Sequence, residues 1–321
     1  MESRTVGADI GRRMLFKAVA GSAIAGAGLL APTRPAAAQT IGDIELLNLI
    51  LNMEYLLAQF LSQSVASTTA TTPPILVPVD RLTGNGVAGV PIIPGRGVTF
   101  SDPALRLIVN EMAADNRNHL LPIRVVIGAL AVRQPLMDIS ASATAPFAVA
   151  MQRAGVVAPG AVFDPYANEE NLLYAILYLK SISVAAYRGL TASISNRVVV
   201  QNFTGFLGAE AIHAATIRSY LYSRGATTPR LRENAERIAA FQRSLNGGQA
   251  FQGVAPIMRG YAGSSATVQT SNVSPAAATG EAAGRSAGQV LNQLYLTATT
   301  ATSGGFFPEG VNGTLRTSAS A

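Results

Sequence analysis

Residues 208–221 read GAEAIHAATIRSYL, an apolar run in which Glu210 and His213 stand three positions apart. On a helix that spacing stacks the two side chains on one face. Three further apolar runs share the helical period. Residues 51–60, LNMEYLLAQF, carry Glu54. A second run carries His119. Residues 172–187 carry Lys180 and, seven positions on and on the same face, Tyr187. Beyond residue 38 the chain keeps only two histidines and one lysine, and all three lie in these runs. Four apolar helices that each turn a polar group inward form a bundle with a polar centre.

Periodicity predicts the first helix from about Ile44 to Val65, with Leu46, Leu47, Ile50, Met53, Leu57 and Phe60 inward and Asp43 as N-cap. Residues 71–98, rich in Pro and Gly, are long enough to hold a small hairpin or a surface excursion. Within them GNGVAG lies between prolines and reads as a turn, not a phosphate loop. Asp102-Pro103 opens the second helix, which is predicted to reach about Arg133 with a disturbance at Pro122. A short helix near Pro146–Ala154 interrupts the next connection. The third helix is predicted from about Glu169 to Ile194, and the fourth from about Val198 to Arg224, stopping at Gly225. The long link between helices two and three is a single crossover. Further on, residues 229–245 read as a surface-lying amphipathic helix and Gly260–Gly284 as loose coil. Residues 285–296 suggest a short helix, and Phe306 and Phe307 a C-terminal clip packed on the bundle.

The N-terminus predicts a compartment. Residues 11–17, GRRMLFK, give a twin-arginine pair, followed by the Gly/Ala-rich stretch 18–32 and by Ala36-Ala37-Ala38. That order is a cleavable Tat signal over residues 1–38, and implies a periplasmic or extracellular protein. At roughly 15 residues the apolar stretch is too short to span a hydrocarbon core of ~30 Å, so no transmembrane anchor is expected after cleavage. The chain has no cysteine, which excludes disulfides, thiolate metal sites and cysteine nucleophiles. Half of the +6 formal charge belongs to residues 1–38, and the rest is scattered without a basic run, so nucleic acid is not an expected partner. The partner itself and the oligomeric state stay open.

With these runs in order, the chain resembles the ferritin-like domain family, which includes bacterial Tat-exported proteins and plant desiccation-related proteins. The resemblance covers about Gln39 to Leu315. It rests on LNLILNMEYLLAQF (47–60), GALAVRQPLMDI (128–139), FDPYANEENLLYAILYLKSISVAAYRG (163–189), GAEAIHAATIRSYL (208–221), and RSAGQVLNQLYL (285–296) with GGFFPEGVNG (304–313). It implies an all-α fold: a ferritin-like four-helix bundle over 39–225 with one long crossover, and a helical and coil extension over 226–321. In metal-binding members the ligands are a Glu from helix one, Glu-x-x-His from helix two, a Glu from helix three and Glu-x-x-His from helix four. Carried over, Glu54, His119, Glu210 and His213 match. Asn116 stands where helix two should offer a glutamate, and Lys180 where helix three should.

Four carboxylates balance two divalent ions in the parent site. Here Glu54, Glu210 and Lys180 sum to −1, so a +4 centre would be uncompensated in a low dielectric. The expected replacement is a Lys180 ammonium bridging Glu54 and Glu210, with both histidines hydrogen-bonded to neighbouring carboxylates and no cofactor. The alternative is one Fe, Mn or Zn ion on Glu54, His119 and Glu210, with Asp115 replacing the carboxylate missing at Asn116. Two functions follow. One is an exported, non-enzymatic ferritin-like protein with a degenerate di-metal site, serving envelope stress or desiccation tolerance. The other is a metal-binding oxidase or metal-storage protein with a reduced, mononuclear site.

Overall fold

The computed structural model describes residues 42–66, 76–86, 92–248, 251–260, 265–275 and 280–321. By contacts the chain divides after Thr40, and all described residues belong to the second unit, Ile41–Ala321. The predicted leader, 1–38, lies outside the described residues, as do parts of the connection at 71–98.

Among the described residues there are seven α-helices: α1 (Asp43–Ser64), α2 (Pro103–Ile127), α3 (Pro146–Arg153), α4 (Glu169–Thr191), α5 (Arg197–Arg224), α6 (Arg230–Ser244) and α7 (Ala287–Tyr295). One antiparallel hairpin joins β1 (Ile257–Gly260) to β2 (Thr267–Thr270), with Ile257 opposite Thr270. The fold is therefore all-helical but for this ribbon. α1 pairs with α2 and α4 with α5, and the two pairs close into the four-helix bundle.

α1 is predominantly apolar and buried all round, with 18 of its 22 residues inside. It is the one described helix long and apolar enough to cross a membrane, and 89% of that window is instead covered by the rest of the chain. Asp102 caps α2 by accepting from the amides of Ala104 and Leu105, and Asn168 caps α4 through Asn171. Arg224, at the end of α5, pairs with Asp102 (2.9 Å) and Glu169 (3.0 Å), tying three helix ends together.

Several boundaries differ from the sequence reading. Asp43 is not the N-cap of α1 but its first residue. Its carboxylate reaches across to the turn before α5, accepting from the amides of Ser195 and Asn196, while Asn196 itself caps α5. α2 stops at Ile127 because Gly128 takes φ 66°, a conformation glycine adopts freely. Pro122 leaves the helix unbroken. The loose coil expected from Gly260 contains the second strand of the hairpin, although residues 261–264 and 276–279 lie outside the described residues. α6 is not merely a surface helix, since Leu231, Ala235, Ile238 and Phe241 are buried.

The extension packs on the bundle, with α6 against α4 and α5 and α7 against α4. Close approach depends on Gly189, where a Cβ would stand 2.1 Å from the Arg285 carbonyl oxygen. Phe306 and Phe307 are fully buried. Phe306 meets Phe147 edge-on at 4.9 Å between ring centres and Tyr178 at 6.0 Å. Truncation of Phe306 to alanine should destabilise the fold by about 3–5 kcal/mol, measured by urea unfolding. An effect under about 1 kcal/mol would mean that the terminal segment is only laid on the surface.

Candidate functional site

Glu54 sits at the middle of α1, Asn116 and His119 on α2, Lys180, Ser183 and Tyr187 on α4, and Glu210 and His213 on α5. Helical register turns all eight toward the bundle axis, and each is buried.

Lys180 is the hub. With no solvent exposure, its Nζ donates to Asn116 Oδ1 (2.7 Å) and to both Glu210 oxygens (2.8 and 2.9 Å), and lies 3.2 Å from His213 Nδ1. Facing an ammonium, Nδ1 of His213 must accept. Nε2 then carries the proton and donates to Asp115 Oδ2 at 3.1 Å. Because Asn116 turns its oxygen to the lysine, its amide nitrogen faces the other way. It donates to Glu54 Oε2 (2.8 Å) and Glu210 Oε1 (2.9 Å). Ser183 donates to Glu210 Oε2 (2.6 Å) and Tyr187 to Glu54 Oε1 (2.7 Å).

The structure thus brings Glu54, His119, Glu210, His213, Asn116 and Lys180 into one centre, and corrects two details of how they meet. Lys180 does not bridge the two glutamates; Asn116 does. Asp115 does not stand in for the missing carboxylate beside His119, because its partly exposed side chain turns to His213. Ser183 was missed, although its place three residues after Lys180 puts it on the same face. The Tyr187 hydroxyl joins the network as its spacing implied.

His119 completes the charge balance. Its Nδ1 lies 3.4 Å from Glu54 Oε2 and 3.9 Å from Glu210 Oε1, ion-pair distances without an aligned hydrogen bond. Burial alone would depress the imidazolium, but the Glu54 and Glu210 carboxylates outweigh it and hold its pKa above the usual 6.5. Burial would likewise raise Glu210, but the Lys180 ammonium outweighs it and holds that carboxyl well below the usual range. Burial and the Glu54 charge push the Tyr187 phenol up, so it stays a donor.

Metal chemistry can be tested on this donor set. A two-ion centre does not fit, since an ammonium occupies the face of Glu210 that a second ion would need and two of the four carboxylates are missing. For one ion, Glu54, His119 and Glu210 bring three ligand atoms within 4.8 Å of one another. The Asn116 NH₂ points at two of those same oxygens, however, and would have to turn away first.

Comparison with known proteins agrees with this geometry. A family model described as the ferritin-like domain matches residues 42–223. The chain belongs to the ferritin-like domain family. It is 25% identical over 278 residues to the ferritin-like catalase Nec2 of Nesocodon mauritianus, covering 85% of this chain and 84% of that one. It is 28% identical over 182 residues to the desiccation-related protein PCC13-62 of Craterostigma plantagineum, covering 57% and 54%. No solved structure matches the chain.

Two outcomes follow for this ferritin-like centre. Lys180→Met should cost about 3–5 kcal/mol, because it leaves buried carboxylates uncompensated. Calorimetry showing wild-type stability in that variant would remove the lysine from its central place. The pH dependence has two signs. His119, raised in the fold, adds stability that is complete below about 6.5 and is lost as pH rises through its folded value. Glu210, lowered in the fold, adds stability above about 4.5 that is lost as pH falls toward its folded value. His119→Gln should therefore flatten the alkaline limb of a stability-versus-pH curve and leave the acid limb in place.

Proposed function

We propose that this chain is an exported, non-enzymatic member of its family, in which a lysine-centred charge network takes the place of the di-metal site. The observation that carries this reading is the Lys180 ammonium seated on both oxygens of Glu210 and on Asn116 Oδ1. Those three acceptors, with His213 Nδ1 close by, surround the ammonium much as ligands surround an ion. The bundle acts as a protein scaffold stabilised by fixed internal charge, in envelope stress or desiccation tolerance. The likeness to a desiccation-related protein supports that setting. Export by the Tat route to the periplasm or beyond is supported by Arg12-Arg13 and by Ala36-Ala37-Ala38. Residues 39–225 would form the bundle domain, and 226–321 its extension.

A second reading is a single-ion oxidase or storage protein using Glu54, His119 and Glu210. The buried Nδ1 of His119, which makes no hydrogen bond, favours it. So does the likeness to a protein named a ferritin-like catalase. When bound, an ion there would supply redox or Lewis-acid chemistry, while Tyr187 and Asn116 would orient the Glu54 carboxylate.

Metal analysis of the full chain, purified after export, separates the two. The scaffold reading expects well under one Fe, Mn or Zn per chain and a melting temperature that chelators do not move. Close to one ion per chain, with melting that falls on chelation, would select the second reading. The double substitution Asn116→Glu with Lys180→Glu should rebuild the six-ligand set and bind two ions. Its stability would then rise with added metal, by about 2.7 kcal/mol at a hundredfold excess over Kd. For export, Arg12→Lys with Arg13→Lys should leave folded precursor in the cytoplasm, and normal processing of that variant would sink the Tat assignment.

A further inference from the structure

An amine and a carboxamide held in contact in a buried centre, with one carboxylate bonded to both, are the groups that amide condensation uses. The bundle centre holds that set. Lys180 Nζ touches Asn116 Oδ1 at 2.7 Å, and Glu210 Oε1 accepts both from Nζ (2.8 Å) and from Asn116 Nδ2 (2.9 Å). All three side chains have no solvent exposure. Behind the amine stands the Asp115–His213 pair. Asp115 Oδ2 holds His213 Nε2 at 3.1 Å, which leaves Nδ1 facing Nζ at 3.2 Å as a second proton acceptor.

We propose that Lys180 and Asn116 join in an intramolecular isopeptide bond, with Glu210 as the proton carrier. The proposal rests on the lysine-centred network described above, which is the reactant state of the bond. Glu210 first takes a proton from the ammonium, an unfavourable transfer out of a hydrogen-bonded ion pair that makes the reaction slow. The freed lone pair attacks Cγ of Asn116, and the carbonyl π electrons move to Oδ1. Collapse of that intermediate re-forms the C=O bond and breaks the Cγ–Nδ2 bond, as Nδ2 receives a proton through Glu210. Of the three protons on Nζ, one remains in the new amide, one leaves with Nδ2 as ammonia and one stays on Glu210. No oxidant or co-reactant is needed. The ion pair becomes an amide and a neutral carboxylic acid, so the net charge of the interior is unchanged. Holding the two groups in one geometry supplies the large rate advantage of an intramolecular reaction.

The consequence is a covalent strut between α2 and α4. It spans 64 positions of sequence in a chain without cysteine and constrains the unfolded chain as a disulfide would. Glu210 would then be the catalytic residue for the chain's own cross-linking.

Mass spectrometry of the full folded chain, held for several days at neutral pH, is the test. The processed protein should be lighter than its sequence by one ammonia. After denaturation, trypsin should leave residues 154–188 uncut at Lys180 and joined to residues 107–117. Glu210→Gln, shown to be helical by circular dichroism, should keep its full mass, and a linked variant would remove Glu210 from the mechanism. Wild-type protein of full mass, giving separate peptides 107–117 and 154–180, overturns the bond. If that protein is also metal-free and Lys180→Met is destabilised, the bond alone has failed and the ionic network stands. Two ions per chain would remove both.

Discussion

An ammonium with no access to water governs the inside of this bundle. Removing the Lys180 charge from solvent costs several kcal/mol unless its donors are all met. Glu210, Asn116 and His213 meet them. Once they do, little freedom remains nearby. Asn116 must present its oxygen to the lysine, so its nitrogen must face the carboxylates. His213 must accept at Nδ1, so Nε2 must donate, and Asp115 is drawn to it. Glu210 already accepts from Lys180 and Asn116, and Ser183 supplies one more donor to its second oxygen.

Charge arithmetic explains why the two departures from the family's ligand pattern belong together. Had Lys180 come alone, with a glutamate kept at position 116, three carboxylates would face one ammonium and one imidazolium. Had Asn116 come alone, with a glutamate at position 180, three carboxylates would face only the imidazolium. With both changes, Glu54 and Glu210 are balanced by Lys180 and by a His119 whose pKa is raised toward the charged form. Only that combination lets the centre be buried without an ion. The neutral Asn116 also does what a second cation could not, because it donates to both glutamates while accepting from the lysine.

How much of this was legible depends on what periodicity can carry. The register of Glu54, His119, Lys180, Tyr187 and Glu210 was readable because an apolar 3.6-residue period fixes which face points inward. The partner each side chain chooses was not, because a face is not a rotamer. Lys180 could have reached Glu54 or Glu210, and the choice rests on chain separation across the bundle. The end of α2 was misread because residues after Gly128 keep an apolar pattern, while the backbone turns at a φ that only the local conformation reveals. The hairpin was missed since its four-residue strands carry too few alternating positions to outweigh the surrounding small polar residues. Asp43 was misjudged for a related reason. A carboxylate before an apolar run looks like that run's own cap, and nothing local says that it serves the turn before α5.

The extension connects to the centre through α1. α1 is covered on every side, and the other three bundle helices cover only part of it. Polar side chains on its remaining surface recruit the rest. Asn48 donates to the Leu130 carbonyl and accepts from the Val132 amide. Gln59 donates to Gln134. Asn52 exchanges two hydrogen bonds with the backbone of Asn312. Each amide hooks a loop or the terminal segment over an apolar helix without leaving a polar group unmet. Those hooks lie on the faces of α1 turned away from Glu54, which itself pairs with His119, Asn116 and Tyr187 in the bundle interior. The terminal clip therefore completes the cover of the helix that carries Glu54, on a side the other bundle helices leave open.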